Sequence, residues 1–107
     1  MMLVSVERAK AQEYITHSVY DAEVEAKVTE ATDIVMDYIG DRDNAIGWSA
    51  EDPLPPDTVA VPGVITAAIL LVFGARWEGR DGAEDAPEPI SPAVQRLLRR
   101  YRDPAFA

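Results

Sequence analysis

The stretch from Val64 to Ala75 restricts the folds open to this chain more than any other. It reads VITAAILLVFGA, and only Thr66 within it carries a polar side-chain group. A helix drawn through it is apolar on every face, the pattern of an element in the middle of a core. Pro62 suits the first helical turn, where no N–H is needed. Arg76, Glu78, Arg80 and Asp81 then return the chain to water. The alternative is a membrane span, which takes roughly 20 apolar residues. Val59–Ala75 is marginal for that, and Pro62, Gly63, Thr66 and Gly74 interrupt it. The pattern therefore predicts a buried core helix over 62–81 and no membrane partner.

The rest of the chain reads as helices that could cover such a rod. Ser5 can cap a short helix over 5–16, with Glu7 in its first turn and Val6, Ala9 and Ile15 facing in beside Leu3 or Val4. His17–Tyr20 breaks the pattern, and Ser18 with Asp21 has the spacing of a capping box. From 21 to 39, Val24, Val28, Ala31, Val35 and Tyr38 recur at helical spacing, and Ile34 and Ile39 widen the stripe. Glu23, Lys27, Glu30, Asp33 and Asp37 fall largely outside it, and Gly40 is placed to end the helix in a left-handed turn. Near the other end, Ser91-Pro92 makes an N-cap followed by Pro at the first helical position, opening a helix over 92–101. Val94, Leu97, Leu98 and Tyr101 form its apolar side, and residues 102–107 read as an extended tail.

Two connections are not helical. Asp41–Ala60 is longer than most loops, and Asp41, Asp43, Asn44, Gly47, Pro53, Pro55 and Pro56 break any regular pattern in it. Its DRDN run lacks the alternating ligands and closing Glu of a calcium loop. Trp48 is its one large aromatic, which either anchors the loop on the core or reaches a partner. Residues 82–88, GAEDAPE, read as a polar linker. With no strand-like alternation of useful length, the predicted fold class is all-α. It is a single domain over 1–107, a bundle of about four helices around a central buried helix, with a long loop and an extended C-terminal tail. A chain of this length buries roughly two-thirds of its unfolded surface, enough for a core without staples.

Charge narrows the partners. The formal net charge is −9, with −8 in residues 1–52 and −1 in residues 53–107. Arg96, Arg99, Arg100 and Arg102 make the C-terminal end basic on an otherwise acidic body. An acidic body is unsuited to wrapping DNA, because phosphate binding uses Lys and Arg to displace counterions. It suits a surface that DNA slides past. The absence of cysteine excludes disulfides and thiolate metal sites. MMLVSVERAK has neither the basic flank nor the apolar run of a signal peptide, so folding in the cytoplasm is expected.

Little in the sequence points to catalysis. His17 lies four residues from both Glu13 and Asp21, but a capped helix start at Ser18 would break their alignment. No GxGxxG, P-loop, GxSxG or HExxH run is present. The expectation is a protein without catalytic residues, cofactor or metal. The arginine cluster is the stronger functional signal. It is either a solvated helix face or a contact with DNA phosphate or an acidic protein face. Arginine used without lysine beside Tyr101 and Phe106 favours contact, and the acidic face this chain offers a neighbouring copy favours protein over DNA.

The succession VERAKAQEYI, DAEVEAKVTEATDIVMDYIG, VPGVITAAILLVFGARWEGRD and ISPAVQRLLRRYRDP resembles the small all-α head–tail connector, or adaptor, proteins of tailed bacteriophages. The telling parts are Val61-Pro62 opening the apolar helix, Arg76–Asp81 closing it, and Leu97-Leu98 followed by Tyr101-Arg102. The resemblance implies a structural virion protein at the head–tail junction of a phage, prophage or gene-transfer-agent particle. It implies a homo-oligomeric ring, commonly of about twelve copies related by a head-to-tail interface. The ring would dock under the portal protein, meet a tail-side stopper or tail terminator protein, and let DNA pass without sequence-specific binding. On that reading Arg76, Trp77, Arg80, Arg96, Arg99, Arg100, Tyr101, Arg102 and Phe106 are candidate subunit or portal contacts. Glu23, Glu30, Asp33 and Asp37 form a candidate acidic face or lumen, and Trp48 is a candidate loop contact. The acidic half also fits a different class, a small regulatory module such as an antitoxin or an inhibitor that mimics nucleic acid.

Overall fold

The computed structural model describes residues 1–79 and 88–102. Four helices and one very short pair of strands make a compact, mostly helical domain. In chain order they are α1 (Val6–Gln12), α2 (Asp21–Tyr38), β1 (Trp48–Ser49), β2 (Val59–Ala60), α3 (Gly63–Glu78) and α4 (Pro92–Leu98), with a 3₁₀ turn at Arg99–Tyr101 continuing α4.

Local chemistry explains most of the boundaries. The Arg8 N–H donates to Ser5 Oγ at 3.1 Å, and the Val94 N–H donates to Ser91 Oγ at 3.3 Å, so both expected N-caps are made. Pro62 stands one residue outside α3, in extended conformation with ψ 145°. The expected capping box at α2 is absent. Its N-cap is Tyr20, the Asp21 N–H donates to the Ser18 carbonyl, and the Asp21 carboxylate accepts from Lys10 Nζ at 2.7 Å. Asp21 reaches Lys10 because α1 packs on α2, and a long-range partner displaces the local one.

Two helices end in the same six-residue Schellman pattern. At α2, the Gly40 N–H donates to the Asp37 carbonyl and the Asp41 N–H to the Met36 carbonyl, with Gly40 at φ 82°. At α1, which ends at Gln12 rather than near 16, the Tyr14 N–H donates to the Ala11 carbonyl and the Ile15 N–H to the Lys10 carbonyl. There the left-handed residue is Tyr14, at φ 57°.

The core is continuous. Val24, Val28, Ala31, Thr32, Val35 and Met36 of α2 meet Ile65, Ala68, Ile69, Val72 and Phe73 of α3, and α3 also touches α1 and α4. Leu3, Val4 and Ala9 close one side, and Val94 and Leu98 another. Thr32 is the one buried polar residue among those described. Its Oγ1 accepts from the Leu3 N–H at 3.3 Å, so the chain preceding α1 is tied to α2 by a buried hydrogen bond. Phe73 stacks on Trp77 with ring centroids 5.9 Å apart, and Tyr20 stands edge-on to Trp77 at 6.4 Å.

Two expectations need correction here. First, α3 is not buried on every face. Leu71 is 43% exposed and Gly63 is open, and the flank that carries Gly63, Ala67 and Leu71 forms a groove beside Arg8 and Gln12 of α1 rather than a packed contact. Second, the Asp41–Ala60 connection contains strands. Trp48 pairs with Val59 and Ser49 with Ala60 in parallel, anchored by the Val59 N–H on the Gly47 carbonyl at 2.9 Å. Two residues per strand are too few to produce a readable alternation.

Candidate functional site

The basic end is built from α4 and its 3₁₀ continuation. The apolar side, Val94 and Leu98, is buried, so the rotation of the helix turns Arg96, Arg99 and Arg100 outward. Arg96 Nε donates to the Pro92 carbonyl at 3.4 Å, within its own helix. None of these three guanidiniums has a carboxylate within ion-pairing distance among the described residues. Tyr101 and Arg102 are placed differently. Tyr101 is half-buried edge-on to Trp48, with centroids 6.0 Å apart, and the Arg102 guanidinium lies over the Tyr38 ring at 4.6 Å. They hold the basic end onto the body. Arg80 and Phe106 lie outside the described residues.

Arg76 and Trp77, at the end of α3, are engaged within the fold. Arg76 donates to Glu30 Oε1 at 3.0 Å, and Lys27 sits 3.1 Å from Glu30 Oε2. Burial pushes the Glu30 carboxyl up, but the hydrogen bonds and charges of Lys27 and Arg76 outweigh it and hold the group below the usual carboxylate range. Trp77 is 8% exposed and offers a neighbour little surface. Trp48 is 6% exposed. Of its two readings, anchor or partner contact, the structure has the anchor. Its N–H donates to Asn44 Oδ1 and its carbonyl accepts from Asn44 Nδ2.

The acidic helix is less free than its composition implies. Glu30 is paired as described, Asp37 is hydrogen-bonded by Arg42 Nε, and Glu23 is half-buried and engaged. Asp33 remains on the solvent side. Glu13, His17 and Asp21 do not share a helix. His17 lies exposed in the turn, edge-on to Tyr20 at 5.5 Å. Glu13 folds back against α3, with Oε2 about 3.4 Å from where a Cβ on Gly74 would stand. Burial raises its pKa, and the nearby Glu78 carboxylate raises it further.

One surface was not legible in the sequence. A cleft of about 540 Å³ opens between the start of α1, the start of α3 and the loop after β1. Leu3, Val4, Leu54, Ala60 and Val61 give it an apolar lining, with Arg8, Glu51 and Asp52 also on its wall. No local pattern announces it, because its walls come from three separated segments. Among the described residues no cluster of His, Asp and Glu has the geometry of a metal site, and no helix is long and apolar enough to cross a membrane. Compared with protein-family models, curated proteins and solved structures, the chain matches none.

Proposed function

We propose that this protein is a non-enzymatic head–tail connector of a tailed phage, prophage or gene-transfer-agent particle. It forms a ring between portal and tail, as a helical bundle organised around α3. The observation that carries the reading is the outward set Arg96, Arg99 and Arg100. Arg42, Arg76, Lys10 and Lys27 each have an intramolecular ion-pair partner and Arg8 stands exposed on α1, whereas these three point to solvent from one short helical stretch. Guanidiniums held on a helix meet carboxylates with two parallel hydrogen bonds, which favours a fixed orientation between subunits or against the portal. DNA would meet a body of net charge −9 and slide past it unbound.

The test is binding of the purified protein to the portal protein of the same particle, read by co-sedimentation at low and high salt. Arg99→Glu with Arg100→Glu should weaken it at least tenfold at low salt, and less once salt screens the charges. Binding unchanged by the reversal removes the arginines from the contact. A stable one-to-one complex with a basic host protein, with no portal binding, would place the chain instead among acidic regulatory modules.

A further inference from the structure

Tyr14 stands in a turn position that favours glycine, and its ring serves no contact in the isolated subunit. It occupies the left-handed residue of the α1 Schellman turn, at φ 57°, while the same position after α2 is Gly40. A side chain with a Cβ is disfavoured there, and only Asn, Asp and Gly adopt it readily. The Tyr14 ring gains nothing within its own chain in return, since it is 90% exposed. Five residues on, Val19 is 77% exposed. The Glu13–Tyr20 connection therefore presents an apolar knuckle to water, and strain held at such a place points to a role outside the fold of the subunit.

The same chain carries a recess suited to that knuckle, at the other end of α3. Tyr20 contacts Trp77 near the C-terminus of α3, while Thr66 near its N-terminus lines the cleft of Leu3, Val4, Leu54, Ala60 and Val61. At 1.5 Å per residue, these two ends are separated by about 16 Å along the helix. A protruding surface at one end and a recess at the other are what a head-to-tail contact between identical subunits requires. The polar groups also match. Between its flanking carboxylates Glu13 and Asp21, the latter paired with Lys10, the knuckle offers the Tyr14 hydroxyl and the His17 imidazole as donors, while the cleft wall carries the exposed acceptors Glu51 and Asp52 together with Arg8.

We infer that Tyr14 and Val19 of one copy seat in the Leu3, Val4, Leu54, Ala60 and Val61 cleft of a second copy, with His17 toward Glu51 and Asp52. The inference deepens the ring reading by naming the contact between its subunits. A contact centred on two side chains belongs to the weak class of interfaces, so the pure protein should associate in roughly the micromolar-to-millimolar range.

The chain has no cysteine, which makes a directed cross-link clean. The Tyr14→Cys and Leu54→Cys proteins, tagged differently and mixed at about 1 mM total under mild oxidation, should form the mixed disulfide at least tenfold faster than either protein forms its own. Equal rates, or no cross-link, would overturn the inference. Sedimentation equilibrium supplies the second arm. Tyr14→Gly and Ala60→Arg should each weaken self-association at least tenfold, while the thermal midpoint of Tyr14→Gly stays level or rises. A Tyr14→Gly protein that associates normally, or a natural protein still monomeric at about 1 mM, would also overturn it. The connector reading fails separately, by loss of portal binding with the cross-link intact.

Discussion

Replacing Trp48 by Ala tests how the long connection is held. The indole is 6% exposed, stands edge-on to Tyr101 at 6.0 Å, and sits on a backbone fastened at both ends by Asn44. Truncating a buried Trp to Ala costs about 3–5 kcal/mol, from lost burial and the cavity left behind. Domains of this size have about 5–15 kcal/mol in all, so the variant should fold but unfold at a much lower urea concentration. Far-UV circular dichroism is the suitable readout, because the substitution removes one of the two tryptophans from any fluorescence signal. Tyr101→Ala and the double variant complete a cycle. An edge-to-face ring pair should show a coupling of about 0.5–1.5 kcal/mol, since each single change already removes the shared contact. Trp48→Phe should recover most of the loss. A loss below about 1 kcal/mol for Trp48→Ala, or additive behaviour with Tyr101, would refute the anchoring role and return the ring to the set of partner contacts.

Other outcomes follow from single contacts. Thr32→Val keeps the shape but leaves the buried Leu3 N–H without its acceptor, and urea unfolding should show a loss of about 1–3 kcal/mol. Gly40→Ala places a Cβ at φ 82° and should cost about 1–2 kcal/mol in the same assay. The lowered Glu30 pKa gives stability that is complete above the unfolded carboxylate value and lost as pH falls through the folded one. Glu30→Gln should therefore lower the thermal midpoint at neutral pH and converge with the natural protein in acid. Glu13 has the opposite sign, because its raised pKa favours the protonated form in the fold. Glu13→Gln should raise the midpoint at neutral pH, with the gap closing as pH falls.

The positions of all four helices are legible in the sequence, for reasons carried by few residues. Ser5 and Ser91 announce helix starts because their hydroxyls satisfy free N–H groups, and Gly40 announces an end because it tolerates a positive φ. The apolar run in α3 shows how much surface seeks cover. It does not show which neighbour arrives, so the open flank at Leu71 goes unannounced. Tyr14 is invisible for the same reason that Gly40 is not, since a tyrosine gives no signal of a left-handed turn. The interaction surface is legible in sign but not in pairing. Arg76 and Glu30 are 46 residues apart, and only folding makes them partners. That pair, with those of Asp21 and Asp37, offsets part of the charge of the acidic helix while leaving these carboxylates about half exposed.

The parallel register of β1 and β2 restricts how the loop between them can change. Strands running side by side in opposite senses can be joined by a two-residue turn, but Ser49 and Ala60 lead the same way, so the chain must travel back before it pairs again. Residues 50–58 are that return path, and they cannot be cut to a tight hairpin without unpairing Trp48 from Val59. Lengthening meets no such barrier, as each doubling of a flexible loop adds only about 0.6 kcal/mol of closure entropy. Variation at this rim of the molecule is thus biased toward insertion. A larger or differently shaped wall beside Leu54 could arise there while the helices beneath stay as they are.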